Sequence, residues 1–345
     1  MQGLAKLAGE HGSIGLIETE EPEPGPGEAL VEVSHAGLCG SDLGIYEFED
    51  AFEFMTFPRV MGHEYAGTVA QVGRDVDRFE PGDRVVERII RHCGECYQCL
   101  SGDTHICDDA RITGIHHDGA WAPSLTVPER HLQALHPALS PEEGAIVEPT
   151  AVAVRAVAVN SRIGPGDDVL VEGPGPIGIL AAQVADAAGA DVLVSGVETD
   201  ADHRLPMAAD LGFETINVAE DDVEAAAEAR TDVGFDVVVD TTGHASGAET
   251  AAAVVRKGGQ IVVVGQTPRI DLAGPPLVRG EIDVQFSYTY TWEEFETAMD
   301  LIAAGDVDTD RFIDRGFSLS DGEAAFEAAM AGETVKPVFD LDDLR

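Results

Sequence analysis

Four of the chain's five cysteines stand in one run, RHCGECYQCLSGDTHIC, between Arg91 and Cys107. The spacing is C-x₂-C-x₂-C-x₇-C, at Cys93, Cys96, Cys99 and Cys107. Disulfides across such short steps would be strained, because the bridge fixes the Cα separation. Four thiolates folded around one ion fit the spacing better, since structural zinc takes Cys₄ tetrahedrally and keeps no open position. A structural zinc lobe is therefore expected over about residues 91–108, and Cys39 is left for other chemistry. It stands in GLCGSD with Ser41 and Asp42; MGHEYAG supplies His63 and Glu64, and IVEPTAV supplies Glu148. Cys, His and carboxylate are the donor types of a catalytic zinc with an exchangeable position. Taken singly, each has an ordinary reading: a small buried apolar Cys, a satisfied core His, a Glu capping a helix.

A second motif concerns phosphate. VEGPGPIG sets Gly173, Gly175 and Gly178 in G-x-G-x-x-G order, with Pro176 and Ile177 between the last two. Gly173 suits a tight turn, Gly175 a close pyrophosphate, and Gly178 close packing of helix on strand. The helix N-terminus adds N–H donors and a favourable dipole. The residue closing the next strand decides between cofactors: an acid bonds the ribose 2′-hydroxyl, and its absence leaves room for a 2′-phosphate. That place falls at Gly196, with Glu198, His203 and Arg204 just beyond. NAD or NADP is expected, with NADP accepted; Glu198 could still turn back to the ribose.

These residues need elements to hold them. EALVEVSHAG, EYAGTVAQVG and GDRVVERII read as short strands. After IVEPTAVAVRAVAV the texture alternates. GDDVLVEG, ADVLVSG, FDVVVDTTG and GQIVVVGQ read as strands, PIGILAAQVADAAG, HRLPMAADLGF and SGAETAAAVVRKG as helices. That alternation predicts an α/β chain with a parallel, doubly wound sheet. The expected division is a β-rich domain over 1–154, a nucleotide domain over 155–287, and a segment over 288–345 returning to the first.

Composition narrows the partners. The chain has 345 residues, 64 Asp and Glu against 21 Lys and Arg, and a formal charge of −43. Its lysines are Lys6, Lys257 and Lys336. The acid is spread through segments such as ETEEPEPGPGE, AEDDVEAAAEARTD and DLDDL, between apolar runs that a disordered acidic chain would lack. A folded protein with a salt-adapted, halophilic surface is expected, screened by molar salt. Nucleic acid and anionic membrane are poor partners for it. No apolar run reaches the roughly 18 residues of a membrane span, and MQGLAKLAGEHGSIGL does not read as a signal peptide. A cytoplasmic protein with reduced thiols is expected.

The chain resembles the zinc-dependent medium-chain dehydrogenases, in the branch near the sorbitol, threonine and sugar enzymes. CGSD, GHEYAGTVAQVG, GDRV, the four-cysteine lobe, EPTAVA, GPGPIG and the closing GETVKPV carry the resemblance over essentially the whole length. It implies a GroES-like catalytic domain and a Rossmann domain with the active site in the cleft between. It also implies a catalytic zinc on Cys39, His63 and Glu148, with Glu64 as an acid able to move in, and a structural zinc on Cys93, Cys96, Cys99 and Cys107. Ser41 would accept the hydroxyl proton of an alcohol, polyol or sugar, and hydride would pass to the nicotinamide. The loops at Asp240–Gly243, with Thr242, and at Gly265–Gln266 would line that ring. A homo-oligomer, dimer or tetramer, is expected. In many relatives a histidine lies five residues beyond the cysteine ligand; here that position is Gly44. Threonine 3-dehydrogenase is the rival enzyme, a non-catalytic zinc-binding module the rival of another class. Zinc-free quinone reductases fit less well, because both metal sets are complete.

Overall fold

A computed structural model describes residues 1–341; the end of the DLDDL run lies outside the described residues. The chain forms two compact units, Met1–Glu148 with the segment from Ile313 onward, and Pro149–Phe312. The boundaries expected at 154 and 287 therefore move to 148 and 312. The reason lies in helix Trp292–Ala304, whose buried face carries Phe295, Ala298, Met299 and Ile302. Its Glu294 pairs with Arg155 at 2.5 Å, and the Asp308 N–H donates to Gln183 at 2.7 Å. Both partners belong to the nucleotide-type unit, so the helix stays with it.

The first unit is built on strand Glu28–Gly37, which is buried over most of its length, with Glu32 its one exposed residue, because strands pair with it on both edges. It pairs antiparallel with Glu64–Val72 and Ser124–Pro128, and the sheet runs on through Arg84–Glu87 to Leu132–Ala134. On its other flank it takes Pro337–Asp340 and then Arg315–Phe317, both from the returning segment. Two register pairs matter for chemistry. Gly37 faces Glu64, so Cys39 just beyond one strand meets His63 just before the other. Val338 faces Gly37, which brings Lys336 to the same spot. Trp121, wholly buried, meets Phe326 and Phe339 edge-on beneath. Gly62, at φ +89°, is held to glycine because a Cβ there would lie 2.2 Å from Trp121 Cδ1.

The second unit alternates strand and helix. We label β1 Asp168–Glu172, α1 Pro176–Ala187, β2 Asp191–Gly196, α2 Arg204–Asp210, β3 Glu214–Asn217, α3 Val223–Arg230, β4 Phe235–Asp240, α4 Ala245–Val254, β5 Val255–Val263 and β6 Asp283–Phe286. Every pairing is parallel, in the order β3-β2-β1-β4-β5-β6. The order reverses between β1 and β4, the switch point where doubly wound sheets open a ligand crevice. The helix expected over SGAETAAAVVRKG stops at Val254, because Val255 already pairs with Phe235 as the start of β5. Leu170, Leu193, Val238 and Ala251 form the apolar layer between the sheet and α4.

Candidate functional site

The four-cysteine lobe hangs between the short strands Ile90–Arg91 and Arg111–Ile112. All four thiols are free, and their sulfurs lie within 4.8 Å of one another. Cys107 to Cys93 is 3.5 Å, Cys96 to Cys107 is 3.8 Å and Cys93 to Cys99 is 3.9 Å. A tetrahedron with zinc–sulfur bonds of about 2.3 Å has edges of about 3.8 Å, so the cluster has the size of a zinc cage. Backbone N–H groups of Glu95 and Cys96 point at Cys93 Sγ, and that of Asp109 at Cys107 Sγ. The N–H groups of Cys99 and Asp108 pull the Cys96 thiol down to about 6, whereas burial pushes Cys99 up to about 12. Burial raises Cys107 as well. The donor set and its spacing fit zinc.

The second cluster gathers at the Gly37–Glu64 pairing. Cys39 caps helix Gly40–Glu47, and its N–H donates to Asp42 Oδ2 at 2.9 Å. Ser41 Oγ lies 3.4 Å from His63 Nε2, and Asp42 Oδ1 lies 3.7 Å from His63 Nδ1. Glu148 sits in the first turn of helix Val147–Val154 and acts on His63 electrostatically. Burial works to lower His63, yet Asp42, Cys39 and Glu148 together hold it well above its ordinary value. Burial pushes Asp42 up to about 6, against the pull of His63. A buried imidazole, a thiol and several carboxyls make the donor chemistry of a zinc site. The set is looser than the cysteine cage: among the described residues the four cysteines are the group drawn within 4.8 Å.

Lys336 was not anticipated as a member. It is fully buried, its Nζ meets Glu64 Oε2, and it donates to Leu38 O at 3.1 Å. A buried lysine in a chain with so few was the available signal. Gly44 is buried against the Phe52 ring, where a Cβ would approach to 2.9 Å, so no histidine fits there unchanged.

In the second unit a cavity of about 800 Å³ opens at the C-terminal ends of β1, β2 and β4. Gly173, Gly175, Gly196, Arg204 and Thr242 line it. Gly173 has φ +93°, and a Cβ on Gly178 would lie 1.8 Å from Gly173 O, while Gly175 faces open space. The backbone thus turns tightly at Gly173, packs closely at Gly178 and is open beside Gly175. Pro176 and Ile177 begin α1, whose N-cap Gly175 offers no side chain and leaves N–H groups for an anion. Gly265 packs on Gly243 and is not a wall of this cavity.

Two residues at the end of β2 are placed as follows. Gly196 lines the cavity but has no room for a side chain of its own: a Cβ would meet Pro174, Leu205 and Asp200 at 2.9 to 3.1 Å. Glu198 is exposed, accepts from Asn217 at 3.4 Å, and is not part of the cavity wall. The acid that does line the cavity is Asp200, whose carboxylate takes the Val197 N–H at 3.0 Å and Arg204 Nη1 at 3.3 Å. Counting along the strand could not reach it, because a short helical turn, Glu198–Asp200, folds it back. Glu172, the last residue of β1, also lines the cavity, a place that the apolar strand pattern gives no sign of.

Comparison with known proteins follows this division. The family of alcohol dehydrogenase GroES-like domains matches residues 25–137, and that of zinc-binding dehydrogenases matches 176–304. The chain is 31% identical over 341 residues to D-arabitol-phosphate dehydrogenase of Enterococcus avium, covering 97% of this chain and 96% of that protein. It is 32% identical to sorbitol dehydrogenase of Halalkalibacterium halodurans, covering 97% and 98%. A Sinorhizobium meliloti chain of zinc-binding-dehydrogenase type, solved with NADP bound, superposes with a TM-score of 0.89 at 28% identity, covering 98% of each chain.

Proposed function

We propose, from the premise that this chain belongs to the zinc-binding alcohol dehydrogenase family, that it oxidises a secondary hydroxyl of a polyol or sugar. In general terms it is an NAD(P)-linked oxidoreductase of alcohols or polyols, with a GroES-like and a Rossmann unit. The observation that carries the finer reading is the gathering of Cys39, Ser41, Asp42 and Glu148 around the buried His63 imidazole, with Glu64 next in the chain. Cys39, His63 and Glu148 would hold the catalytic zinc, and Cys93, Cys96, Cys99 and Cys107 the structural one. When bound, the catalytic ion supplies Lewis acidity that lowers the pKa of a substrate hydroxyl.

The chain's own groups do the rest. Ser41 Oγ, beside the His63 ring, accepts the substrate hydroxyl proton by hydrogen bond. Asp42 fixes the loop by taking the Cys39 N–H, and its charge steadies the imidazole. Lys336 balances Glu64, so that carboxylate stays in place beside the ligands. Gly44 offers no relay, and the proton leaves Ser41 through the cofactor ribose or water. In the other unit, the N–H groups at the start of α1 hold the pyrophosphate. Arg204 at the cavity wall favours acceptance of NADP. A homo-oligomer is supported by apolar side chains exposed near the edge strand β6, namely Val278, Phe286 and Tyr288.

The test is a panel of polyols, sugars, simple secondary alcohols and threonine, each with NAD⁺ and NADP⁺, in molar potassium chloride. Reduction of cofactor with a polyol or sugar above all others supports the reading. Turnover confined to threonine would replace it.

A further inference from the structure

The sheet of the second unit ends in a polar row. Ser195, Glu172 and Asp240 stand in register across β2, β1 and β4. Side chains alternate along a strand, so these three share the face of Leu193, Leu170 and Val238 two residues earlier. That face packs on α4. The row therefore caps an apolar layer at the cavity, which Glu172 and Ser195 both line although each is buried.

Asp240 is satisfied there: its Oδ1 accepts the Thr242 N–H at 2.9 Å and the Thr242 hydroxyl at 2.7 Å. Glu172 is not. Its side chain belongs to a residue only 4% exposed, and its Oε2 has no hydrogen-bonding partner. Leaving a buried polar group unpaired costs stability. A leucine at this position would extend the apolar column below it at no such cost. A carboxyl kept there points to something that enters the cavity.

Gly175, Gly196, Arg204, the stretch Val218–Val223, Ser246 and Thr250 line the same cavity as Glu172. A dinucleotide with its pyrophosphate on α1 and its ribose at the end of β2 would carry its base within this one cavity, where Glu172 is a wall residue.

We infer that Glu172 recognises the purine base of the cofactor: its carboxyl O–H donates to a ring nitrogen while its carbonyl oxygen accepts from the exocyclic amine. This rests on the dinucleotide reading above. A neutral carboxylic acid matches the donor–acceptor edge of adenine in a way that a carboxylate, an acceptor only, does not.

The surroundings keep the acid neutral. Burial, then Asp240, pushes Glu172 up to about 9. Asp240 faces it from β4, and His244 from the turn before α4. Asp200 and Arg204 face the cavity from beyond β2, already paired with each other. Glu220, Asp221 and Asp222 line it from the stretch after β3. A second negative charge would sit among these acids and under the pyrophosphate. Glu172 is thus protonated below about pH 9 and ionised above it, so base recognition is present at neutral pH and is lost as pH rises through that value.

The experiment measures binding by calorimetry, with zinc-loaded full-length protein in molar salt. The probes are NADPH, NADH and their 1,N6-etheno analogues, in which the base has lost the exocyclic N–H and the ring acceptor beside it. Wild-type protein should prefer the adenine form by about tenfold at pH 7, the worth of one to two net hydrogen bonds. Glu172→Leu should bind both forms alike while melting no lower than wild type. Glu172→Gln keeps a donor and an acceptor; it should keep the preference and bind independently of pH between 7 and about 10, where wild type weakens. An unchanged tenfold preference in Glu172→Leu overturns the inference, as does a Glu172→Gln profile that weakens with pH like wild type. Wild-type protein that binds neither cofactor overturns the dinucleotide reading, and this one with it.

Discussion

Lys336→Met should be among the costliest single changes in the chain. The ion pair with Glu64 has side-chain exposures of 0% and 1%, so solvent screening does not weaken it. An exposed pair would be worth about 0–1 kcal/mol. Methionine keeps most of the stem volume but removes the ammonium, leaving the buried Glu64 carboxylate without its cation and the Leu38 carbonyl without its donor. Stripping one partner from a buried pair costs about 3–5 kcal/mol. For a unit of this size each kilocalorie shifts the melting temperature by about 2–4 °C, so a fall of about 6–20 °C is expected. The assay is thermal and urea denaturation of wild type, Lys336→Met, Glu64→Gln and the double variant, with zinc content measured on each sample. The double variant replaces the pair by neutral groups of similar volume and should recover most of the loss. A Lys336→Met variant within about 1 kcal/mol of wild type would refute the argument, as would a double variant carrying the sum of both single losses.

Ser41→Ala should lower turnover on the order of a hundredfold, the usual size for a lost acid–base group, with metal content unchanged; single-turnover hydride transfer across pH measures it, and an unchanged rate would mean the proton leaves by water alone. Arg204→Leu should weaken NADP binding relative to NAD on the order of tenfold, the loss of a charged hydrogen bond to the 2′-phosphate; equal effects on both cofactors would remove Arg204 from specificity. Gly196→Asp should destabilise the second unit rather than switch the cofactor, because its Cβ would lie 2.9 Å from Pro174 Cγ; a stable, NAD-selective variant would contradict that. With a formal charge of −43, activity or assembly should fall on dialysis to millimolar salt, and equal melting temperatures in low and molar potassium chloride would sink the salt argument.

Local signals in the sequence were readable where one stretch of chain contains the whole device. The cysteine spacing spans Cys93 to Cys107, and the glycine turn lies between β1 and α1; the four sulfurs gather within 4.8 Å and the turn leads from strand to helix. Alternating strands and helices likewise specified the parallel sheet. What escaped depends on contacts between distant segments. Lys336 reaches Glu64 only because Pro337–Asp340 pairs with Glu28–Gly37. Asp200 reaches the cavity through one short turn that strand counting does not foresee. Glu172 looks like any polar residue at a strand end until Ser195 and Asp240 are seen beside it. The domain boundary near Phe312 was missed for the same reason, since helix Trp292–Ala304 is assigned by its partner Arg155 and not by its own pattern.

The central claim is that one zinc on Cys39, His63 and Glu148 does chemistry while another on the cysteine lobe only holds structure. The direct measurement is zinc content by mass spectrometry alongside alcohol-dependent cofactor reduction, on wild type, Cys39→Ser and Cys96→Ser. The account predicts about two zinc ions per wild-type chain. Cys39→Ser should hold about one, stay folded and lose turnover, while Cys96→Ser should lose stability at the lobe. Wild-type turnover in Cys39→Ser, or a wild-type chain with a single zinc confined to the lobe, would contradict it.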